Sequence, residues 1–312
     1  MRIHFWGVRG SLPTPLTPNQ IQAKISAAIQ LAQPKDLESE DARERFIASL
    51  PQWIYGTVGG NTACVELTSE KGTRLIFDAG TGIRVLGKQG ARSADGRYHL
   101  LFSHFHWDHI QGLPFFDAAY NPGNTLDIYS PFEGQRDFLS GQMRAPYYPV
   151  DMSALTRNLS FHALREGEEF SIGELRINTR RLKHPGNSYA YSVIGDGRKF
   201  IYATDVELTS RDFDKVGGQE EFFEGADMLI LDSQYTVEEA YHKENWGHSA
   251  FCYAVDFAVT WGIKNLYLFH HEPTYDDQKI GSILQAARWY ADYSADKRVQ
   301  VHLAAEDQEV KL

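Results

Sequence analysis

The amino-acid sequence predicts a protein of the α/β class, in which β-sheets lie beneath covering layers of helices. Three observations lead to this prediction. Short β-rich segments recur along the chain, several of them end at Gly, Asp or Asn, and segments with helical periodicity lie between them. With 312 residues, the chain is long enough for two domains or for one large layered domain.

The predicted strands are runs of four to seven residues rich in β-branched, aromatic and aliphatic side chains. In the first half of the chain they are Ile3–Gly7, Ala63–Leu67, Arg74–Asp78, His99–Ser103 and Thr125–Tyr129. In the second half they are Leu175–Arg181, Tyr189–Ile194, Phe200–Ala203, Met228–Asp232, Asn265–Phe269 and Val299–Leu303. The segment 132–160 is rich in Tyr, Pro and Met and has no clear periodicity.

Helical patterns lie between these strands and near the N-terminus. Two predicted helices cover about Ser249–Trp261 and Gln278–Tyr293. Between the first two strands, Thr17 followed by Pro18 is typical of a helix start, and a second short helix is predicted over Ser39–Leu50. We therefore expect a helical insertion over about residues 15–55.

The insertion has an apolar stripe that we expect to be buried against another surface. Its members are Ile21, Ile25, Ile29, Phe46, Ile47 and Leu50. Because long inserted segments are often functional, we expect a lid over the active site or a dimer contact, with a simple cover for a sheet edge as the alternative.

Net charge, apolar runs and cysteine content indicate which partners and which cellular compartment to expect. The formal net charge of −10 argues against a protein that grips long nucleic acid, which usually needs a basic surface. No apolar run is long enough to cross a membrane, and the N-terminal segment resembles a first strand rather than a secretory signal, so a cytoplasmic protein is expected. Cys64 and Cys252 are far apart in apolar surroundings and are expected to be free thiols.

The segment LLFSHFHWDHIQG carries the strongest chemical signal. His104 and His106 stand two residues apart at the end of an apolar strand, so extended backbone would point both rings to one side. Asp108 and His109 follow at the turn into the next element. Four potential ligands within six residues at a strand end favour metal binding over four unrelated polar residues, which would be costly to bury.

The motif from His104 to His109 resembles the signature of the metallo-β-lactamase superfamily. That resemblance implies a four-layer αββα sandwich formed by residues 1–312 as a single domain. Ile76-Phe77-Asp78-Ala79-Gly80 is similar to the strand and turn that precede the family motif, where Asp78 would hold a metal ligand in place.

Other positions follow from the resemblance, residue by residue. His184 fits the third histidine, Asp205 fits the carboxylate that bridges two metals, and His270 fits the last histidine. Strand alternation alone does not choose between His270 and His271, which would lie on opposite faces, whereas the resemblance favours His270.

The implied ligand sets serve two divalent ions that share Asp205. One ion would take His104, His106 and His184, and the other Asp108, His109 and His270. Imidazole and carboxylate ligands without a thiolate suit zinc, with manganese or iron as alternatives.

The segment Trp246-Gly247-His248-Ser249-Ala250 is similar to the helix start of the ribonuclease Z and cyclic phosphodiesterase branch. In that branch, His248 would act on the scissile phosphate as general acid, while Asp108 would orient a metal-bridging hydroxide that attacks it. A helix N-terminus and nearby metals disfavour the imidazolium form and a bound phosphate favours it, so the sequence leaves its protonation state open.

Comparison of the sequence with the ribonuclease Z branch of the superfamily then predicts the class of substrate. His184 and Asp205 are 21 positions apart, which leaves room for a hairpin but not for the long tRNA-gripping arm usual in ribonuclease Z. We therefore expect a small phosphodiester, with a cyclic nucleotide first, no long nucleic acid, no membrane, and a homodimer. The alternatives are an RNA-processing endonuclease of the ribonuclease Z type and a metal-binding regulatory protein without turnover. Trp107, Tyr189, Tyr235 and Trp246 could stack on a base, but packing in the core is the more common role for any one of them, and they are left unassigned.

Overall fold

The structure is a computed structural model, and it describes residues 1–89, 93, 95–215, 218–293 and 299–312. These described residues form fourteen β-strands and ten α-helices. The strands are β1 (Arg2–Gly7), β2 (Cys64–Thr68), β3 (Arg74–Phe77), β4 (Arg97–Leu101), β5 (Thr125–Ser130), β6 (Asn158–Ala163), β7 (Phe170–Ile172), β8 (Leu175–Leu182), β9 (Ser188–Gly195), β10 (Arg198–Ala203), β11 (Met228–Asp232), β12 (Asn265–Phe269), β13 (Gln300–Leu303) and β14 (Glu309–Lys311). The helices are α1 (Pro18–Leu31), α2 (Glu40–Ser49), α3 (Gln52–Tyr55), α4 (Gly82–Gln89), α5 (Trp107–Ile110), α6 (Gln135–Gln142), α7 (Gln219–Phe223), α8 (Val237–His242), α9 (Phe251–Thr260) and α10 (Asp277–Tyr293).

The strands form two seven-stranded sheets within the described residues. The order in the first sheet is β14-β1-β2-β3-β4-β5-β6, and in the second it is β13-β12-β11-β10-β9-β8-β7. In the first sheet β3 to β6 run parallel, and in the second β10 to β13 run parallel. Each sheet therefore has a set of neighbouring strands whose carboxyl ends lie along one edge.

Three apolar cores separate four layers. Phe5, Phe77 and Phe269 belong to the core between the sheets, while Ile283 of α10 packs with strand residues such as Leu266 in the core beneath α9 and α10. A third core lies between the first sheet and α4 and α6. This arrangement confirms the predicted αββα sandwich, and its basis is the alternation of side chains along each strand, which gives both faces of each sheet an apolar surface to bury.

All eleven predicted strands are present, with boundaries shifted by up to two residues. The strands that the sequence did not reveal are β6, β7 and β14, and all three lie at sheet edges. β7 and β14 have three residues each, too few to show a period, whereas β6 does alternate polar and apolar residues but begins in the segment interpreted as aperiodic. The predicted strand His99–Ser103 instead covers Arg97–Leu101, so His104 lies beyond the extended backbone assumed for it.

The helical insertion consists of α1, α2 and α3 between β1 and β2. Within the single chain most of its apolar stripe is uncovered: Ile21, Ile25 and Ile29 are 46%, 55% and 68% exposed, although Leu50 is buried. Burial of the stripe against a dimer partner therefore stays a prediction. Helix α1 is anchored through Lys24 instead, which donates to Gly56 O at 2.7 Å and pairs with Asp277 at 2.7 Å. None of the described helices has the length and apolar character needed to cross a bilayer.

We expect that replacing Thr17–Leu50 by a short Gly/Ser linker leaves a cooperatively folding protein. Neither α1 nor α2 contains a buried residue, and Asp277 keeps hydrogen bonds from Val58 N and Thr57 Oγ1 when Lys24 is removed. Thermal unfolding followed by circular dichroism, with metal content measured in parallel, tests this expectation. A variant that is unfolded at room temperature would show that the insertion is part of the core.

Candidate metal centre

The centre lies where parallel strands of both sheets end. Asp78 follows β3, Asp205 lies two residues beyond β10, Asp232 ends β11 and His270 follows β12. His104 lies three residues beyond β4. Because parallel strands end at a common edge, residues far apart in the sequence meet there.

Three of these residues have left-handed backbone, which is uncommon outside glycine. The φ angles are 60° at Asp78, 54° at Asp205 and 61° at His270. Because the backbone at His270 is not extended, strand alternation does not determine the directions of His270 and His271. His270 Nε2 lies 3.1 Å from Asp108 Oδ2, whereas His271 donates from Nε2 to Ala304 O at 2.9 Å and lies outside the cluster.

The first group of potential ligands comprises His104, His106, His184 and Asp205, with one ligand atom from each within 4.8 Å of the others. His184 Nε2 is 3.1 Å from His106 Nδ1. Asp205 turns Oδ2 toward this group, at 3.6 Å from His104 Nε2 and 3.7 Å from His184 Nε2.

The second group comprises Asp108, His109, Asp205 and His270, again with ligand atoms within 4.8 Å. Asp205 Oδ1 lies 3.2 Å from Nε2 of both His109 and His270. Asp108 Oδ2 lies 3.3 Å from His109 Nε2. The two oxygens of Asp205 thus face different groups, and all seven residues predicted as ligands lie in one group or both.

Protein hydrogen bonds orient the imidazoles of the cluster. His109 donates from Nδ1 to Asp78 at 2.8 Å, and His184 donates from Nδ1 to Gly247 O at 2.8 Å. His270 Nδ1 lies 3.1 Å from Gln234 Oε1. A ring that donates from Nδ1 keeps the lone pair of Nε2 free for a metal ion, which is the usual arrangement of histidine ligands.

Asp78 is itself held by several donors. It accepts hydrogen bonds from Ser103 N and Oγ and from the Tyr202 hydroxyl, all at 2.8 Å. Ser103 Oγ also lies 3.0 Å from His104 Nδ1. Sequence analysis did not find Gln234 or Tyr202, because neither belongs to a motif and each reaches the cluster only through the fold. It gave no role to Ser103, which directly precedes His104.

The charge state of the first group suits a divalent cation, whereas in the second group neighbouring carboxylates outweigh burial and raise the pKa of His109. Burial lowers the pKa of His104, His106 and His184, so their rings are neutral near pH 7. The surrounding histidines hold the pKa of Asp205 well below its usual range against the opposing effect of burial. Neutral imidazole and ionised carboxylate are the forms that bind metals. Among the described residues His104 Nε2 is buried without a hydrogen-bond partner, which fits a ligand atom reserved for an ion.

His248 lies beside this cluster and is held by a residue that sequence analysis missed. Its Nδ1 is 2.6 Å from Asp232 Oδ2, and its ring stacks on His270 with centroids 4.9 Å apart. Burial lowers the pKa of His248, but the charge and hydrogen bond of Asp232 outweigh burial and raise it to about 9. Without bound metal ions, the imidazolium form is therefore favoured at neutral pH. The predicted strand Met228–Asp232 already ended at Asp232. Its position at a strand end, where the common strand edge lies, was the signal that could have revealed this residue.

The predicted position of His248 at the start of a helix requires a correction. Helix α9 begins at Phe251 with Ala250 as its N-cap, so His248 precedes the helix. The left-handed turn at Gly247, with φ of 89°, directs it toward Asp232 instead. A Cβ at Gly247 would lie 2.2 Å from His184 Nδ1, so this close approach requires glycine.

Substitution of Gly10 should weaken the second group without removing a ligand. A Cβ at Gly10 would lie 2.5 Å from His270 Nδ1, so Gly10→Ala must displace the ring from Gln234. We expect metal affinity to fall by about 10- to 100-fold, the usual effect of losing such support. Metal content after dialysis against a graded chelator series measures this. Gly281→Ala, where a Cβ meets nothing within 4 Å, is the matched control; equal metal retention in both variants would contradict the expectation.

Comparison with known proteins identifies the family. Residues 73–271, more than half of the chain, match the family model described as the beta-lactamase superfamily domain. The chain belongs to the metallo-β-lactamase superfamily. This membership supports a metal-dependent hydrolase as the general class, and it confirms the resemblance that the motif from His104 to His109 suggested.

A curated relative covers 72% of this chain, and structural neighbours cover nearly all of it. Ribonuclease Z from Clostridium perfringens is 26% identical, with 72% of this chain and 90% of the relative covered. The metallo-β-lactamase fold protein YhfI from Bacillus subtilis has a TM-score of 0.65 at 16% identity, covering 99% of this chain and 98% of its own. The short form of human tRNase Z has a TM-score of 0.61 at 19% identity, covering 100% and 99%. At such identities the two structures are similar in fold alone.

These comparisons correct one prediction. The expectation that the chain binds no long nucleic acid is wrong, because the curated relatives that it matches include several named ribonuclease Z. The net charge of −10 sums over the whole surface, whereas nucleic acid is bound through local contacts. The short connection from His184 to Asp205 is a hairpin of β9 and β10. It excludes a tRNA-gripping arm at this position only.

Proposed function

We propose that this protein is a dinuclear metal-dependent phosphodiesterase that cleaves RNA as an endonuclease of the ribonuclease Z type. The observation that carries the proposal is the pair of ligand groups joined through Asp205, with His248 and Asp232 beside them. The ribonuclease Z relatives support the choice of RNA as substrate. A regulatory protein without turnover has no need for a buried acid–imidazole pair at the edge of such a centre.

The ligand roles in this proposal follow the two groups. His104, His106 and His184 would hold one ion, Asp108, His109 and His270 the other, and Asp205 both. Ions held there would supply Lewis acidity, lowering the pKa of water and neutralising phosphate charge. Nitrogen and carboxylate donors without thiolate favour zinc, with manganese and iron as the alternatives that metal analysis must separate. Asp232, His248 and His270 also lie close together, but the 2.6 Å contact of His248 with Asp232 is a hydrogen bond.

The protein's own residues then have distinct tasks in cleavage. Asp108 accepts a hydrogen bond from Ser11 N at 2.7 Å, which fixes its carboxylate to orient the attacking water. His248 would donate a proton from Nε2 to the leaving oxygen, and Asp232, by holding Nδ1, directs Nε2 away from itself. After cleavage one product carries the phosphate and the other a new hydroxyl group.

A substrate panel tests the proposal. The metal-loaded protein is assayed with precursor tRNA, bis(p-nitrophenyl) phosphate, cyclic mononucleotides, a β-lactam and a glutathione thioester. We expect cleavage of precursor tRNA and of bis(p-nitrophenyl) phosphate. Hydrolysis of the β-lactam or thioester without cleavage of any phosphodiester would overturn the proposal.

A small phosphodiester such as a cyclic nucleotide is the second candidate substrate. It is favoured by a cavity of about 580 Å³ that opens beside His104 and His106, within the size range of roughly 300–1,000 Å³ for small-molecule sites. Hydrolysis of cyclic mononucleotides with no cleavage of precursor tRNA would select it.

A further inference from the structure

The cavity beside His104 and His106 has an aromatic lining that the proposed cleavage chemistry does not require. Part of the lining comes from the segment without clear periodicity, where Phe132 precedes α6, Phe138 lies on α6 and Tyr147 lies in the loop after it. Phe105 and Trp107, from the metal-binding motif, line it as well. We refer to these five residues as the aromatic wall. No residue of the inserted segment 15–55 is among the described residues that line the cavity.

Three rings of the aromatic wall are exposed rather than packed against the rest of the protein. Phe138, Tyr147 and Trp107 are 44%, 75% and 81% exposed. Phe105 positions two of the rings, since its centroid is 5.1 Å from that of Phe138 and 5.7 Å from that of Phe132. Exposed aromatic side chains grouped around a concave site typically mark a ligand surface rather than a core.

The polar part of the lining is uncharged, since its only side chains that titrate near neutral pH among the described residues are the neutral imidazoles of His104 and His106. Among the described lining residues there is no Lys, Arg, Asp or Glu, and the polar side chains include Gln111, Gln142 and Asn187. Gln142 donates from Nε2 to Ile110 O at 3.0 Å, and Gln111 donates from Nε2 to Thr62 Oγ1 at 3.3 Å. These bonds hold both amides in place with their Oε1 atoms as acceptors. Such a cavity suits a flat, uncharged group with a hydrogen-bonding edge and disfavours further phosphates.

The position of His248 decides which part of a substrate enters the cavity. His104 and His106 line the cavity, but His248 does not. The leaving oxygen must lie next to His248 to receive its proton, so the cavity is available to the other substituent of the phosphodiester. We propose that the aromatic wall binds the nucleobase, unpaired, of the nucleotide that retains the phosphate after cleavage. This assignment of a specificity pocket rests on the proposed function.

The test compares two diesters that share p-nitrophenolate as leaving group and differ in the retained group. These are thymidine 5′-(p-nitrophenyl phosphate) and methyl p-nitrophenyl phosphate. We expect the thymidine ester to have the higher kcat/KM, and Phe138→Ala to reduce that preference by a factor of roughly 5 to 150, the contribution of one base stacked on an aromatic ring. The methyl ester should react equally with both proteins.

Two further variants control for unfolding and for the loss of any exposed ring. Tyr147→Ala, at a 75% exposed position, should reduce the same preference. Trp289→Ala removes a 65% exposed ring on α10 and should leave both esters unaffected. Equal slowing of both esters by Phe138→Ala and Tyr147→Ala, or an unchanged preference in both, would overturn the pocket assignment.

Binding of the products separates this inference from the proposed function. Isothermal titration calorimetry should show thymidine 5′-monophosphate binding more tightly than methyl phosphate to the parent protein, with the difference reduced in Phe138→Ala. If the parent hydrolyses neither diester, phosphodiester cleavage is overturned, while the calorimetric difference still decides the pocket. Equal affinity of the parent for the two phosphates would overturn the pocket assignment whatever the activity.

Discussion

Replacement of Asp108 or His109 by alanine should abolish phosphodiester cleavage and remove one metal ion far more completely than the other. Both residues belong to the second group, whose ligand atoms meet Asp205 Oδ1, while the first group faces Asp205 Oδ2. Loss of a second-group ligand should therefore leave His104, His106 and His184 able to hold their ion. Metal content by mass spectrometry of dialysed protein, together with single-turnover cleavage, measures both effects.

Controls for this experiment come from exposed residues of the same type. Asp41→Ala on α2 and His242→Ala on α8 alter exposed side chains outside both groups and should retain two ions and full activity. Circular dichroism of each variant excludes unfolding as the cause of metal loss. Retention of two equivalents in both Asp108→Ala and His109→Ala would show that the proposed ligand sets are wrong.

Replacement of His248 by alanine should keep both metal ions and slow cleavage by about 10²- to 10⁴-fold, the usual contribution of a general acid. The loss should be largest for poor leaving groups such as a ribose hydroxyl. It should be small for p-nitrophenolate, which leaves without needing a proton. Rates for a dinucleotide and for bis(p-nitrophenyl) phosphate, measured with the same preparations, make this comparison. Equal slowing of the two substrates, or loss of metal, would contradict the role.

Asp232→Asn tests how His248 is kept protonated. The Asp232 carboxylate raises the pKa of His248 to about 9 against the lowering effect of burial, so the neutral amide should let that pKa fall. Because the general acid must carry its proton, the high-pH limb of the kcat profile should move to lower pH. A merely structural role of Asp232 would lower the rate at every pH without moving that limb. His248→Ala combined with Asp232→Asn should be no slower than His248→Ala alone.

Several features of the fold could be predicted because they depend on local patterns. The β-rich runs, the two late helices and the helix that begins after Thr17 follow from side-chain periodicity and helix-start residues. At Thr17 the structure has a complete capping box with Gln20, which is a strictly local arrangement. The edge strands β7 and β14 escaped prediction because three residues are too few to show a period. Burial of the stripe on α1 stays a prediction, since periodicity indicates an apolar face but not which partner surface covers it.

For the centre itself, the sequence determined which residues carry metal-binding chemistry, because His104 to His109 lie within one short motif and family resemblance added His184, Asp205 and His270. Only the tertiary structure decided how they meet. It excluded His271 from the cluster through a bond to Ala304 O, and it joined Asp232 to His248 across 16 positions of sequence. It also brought Phe132, Phe138 and Tyr147 beside the motif. The physical reason is that hydrogen bonds, charge effects on pKa and cavity shape depend on distances in space, and these are set by which strand ends share an edge.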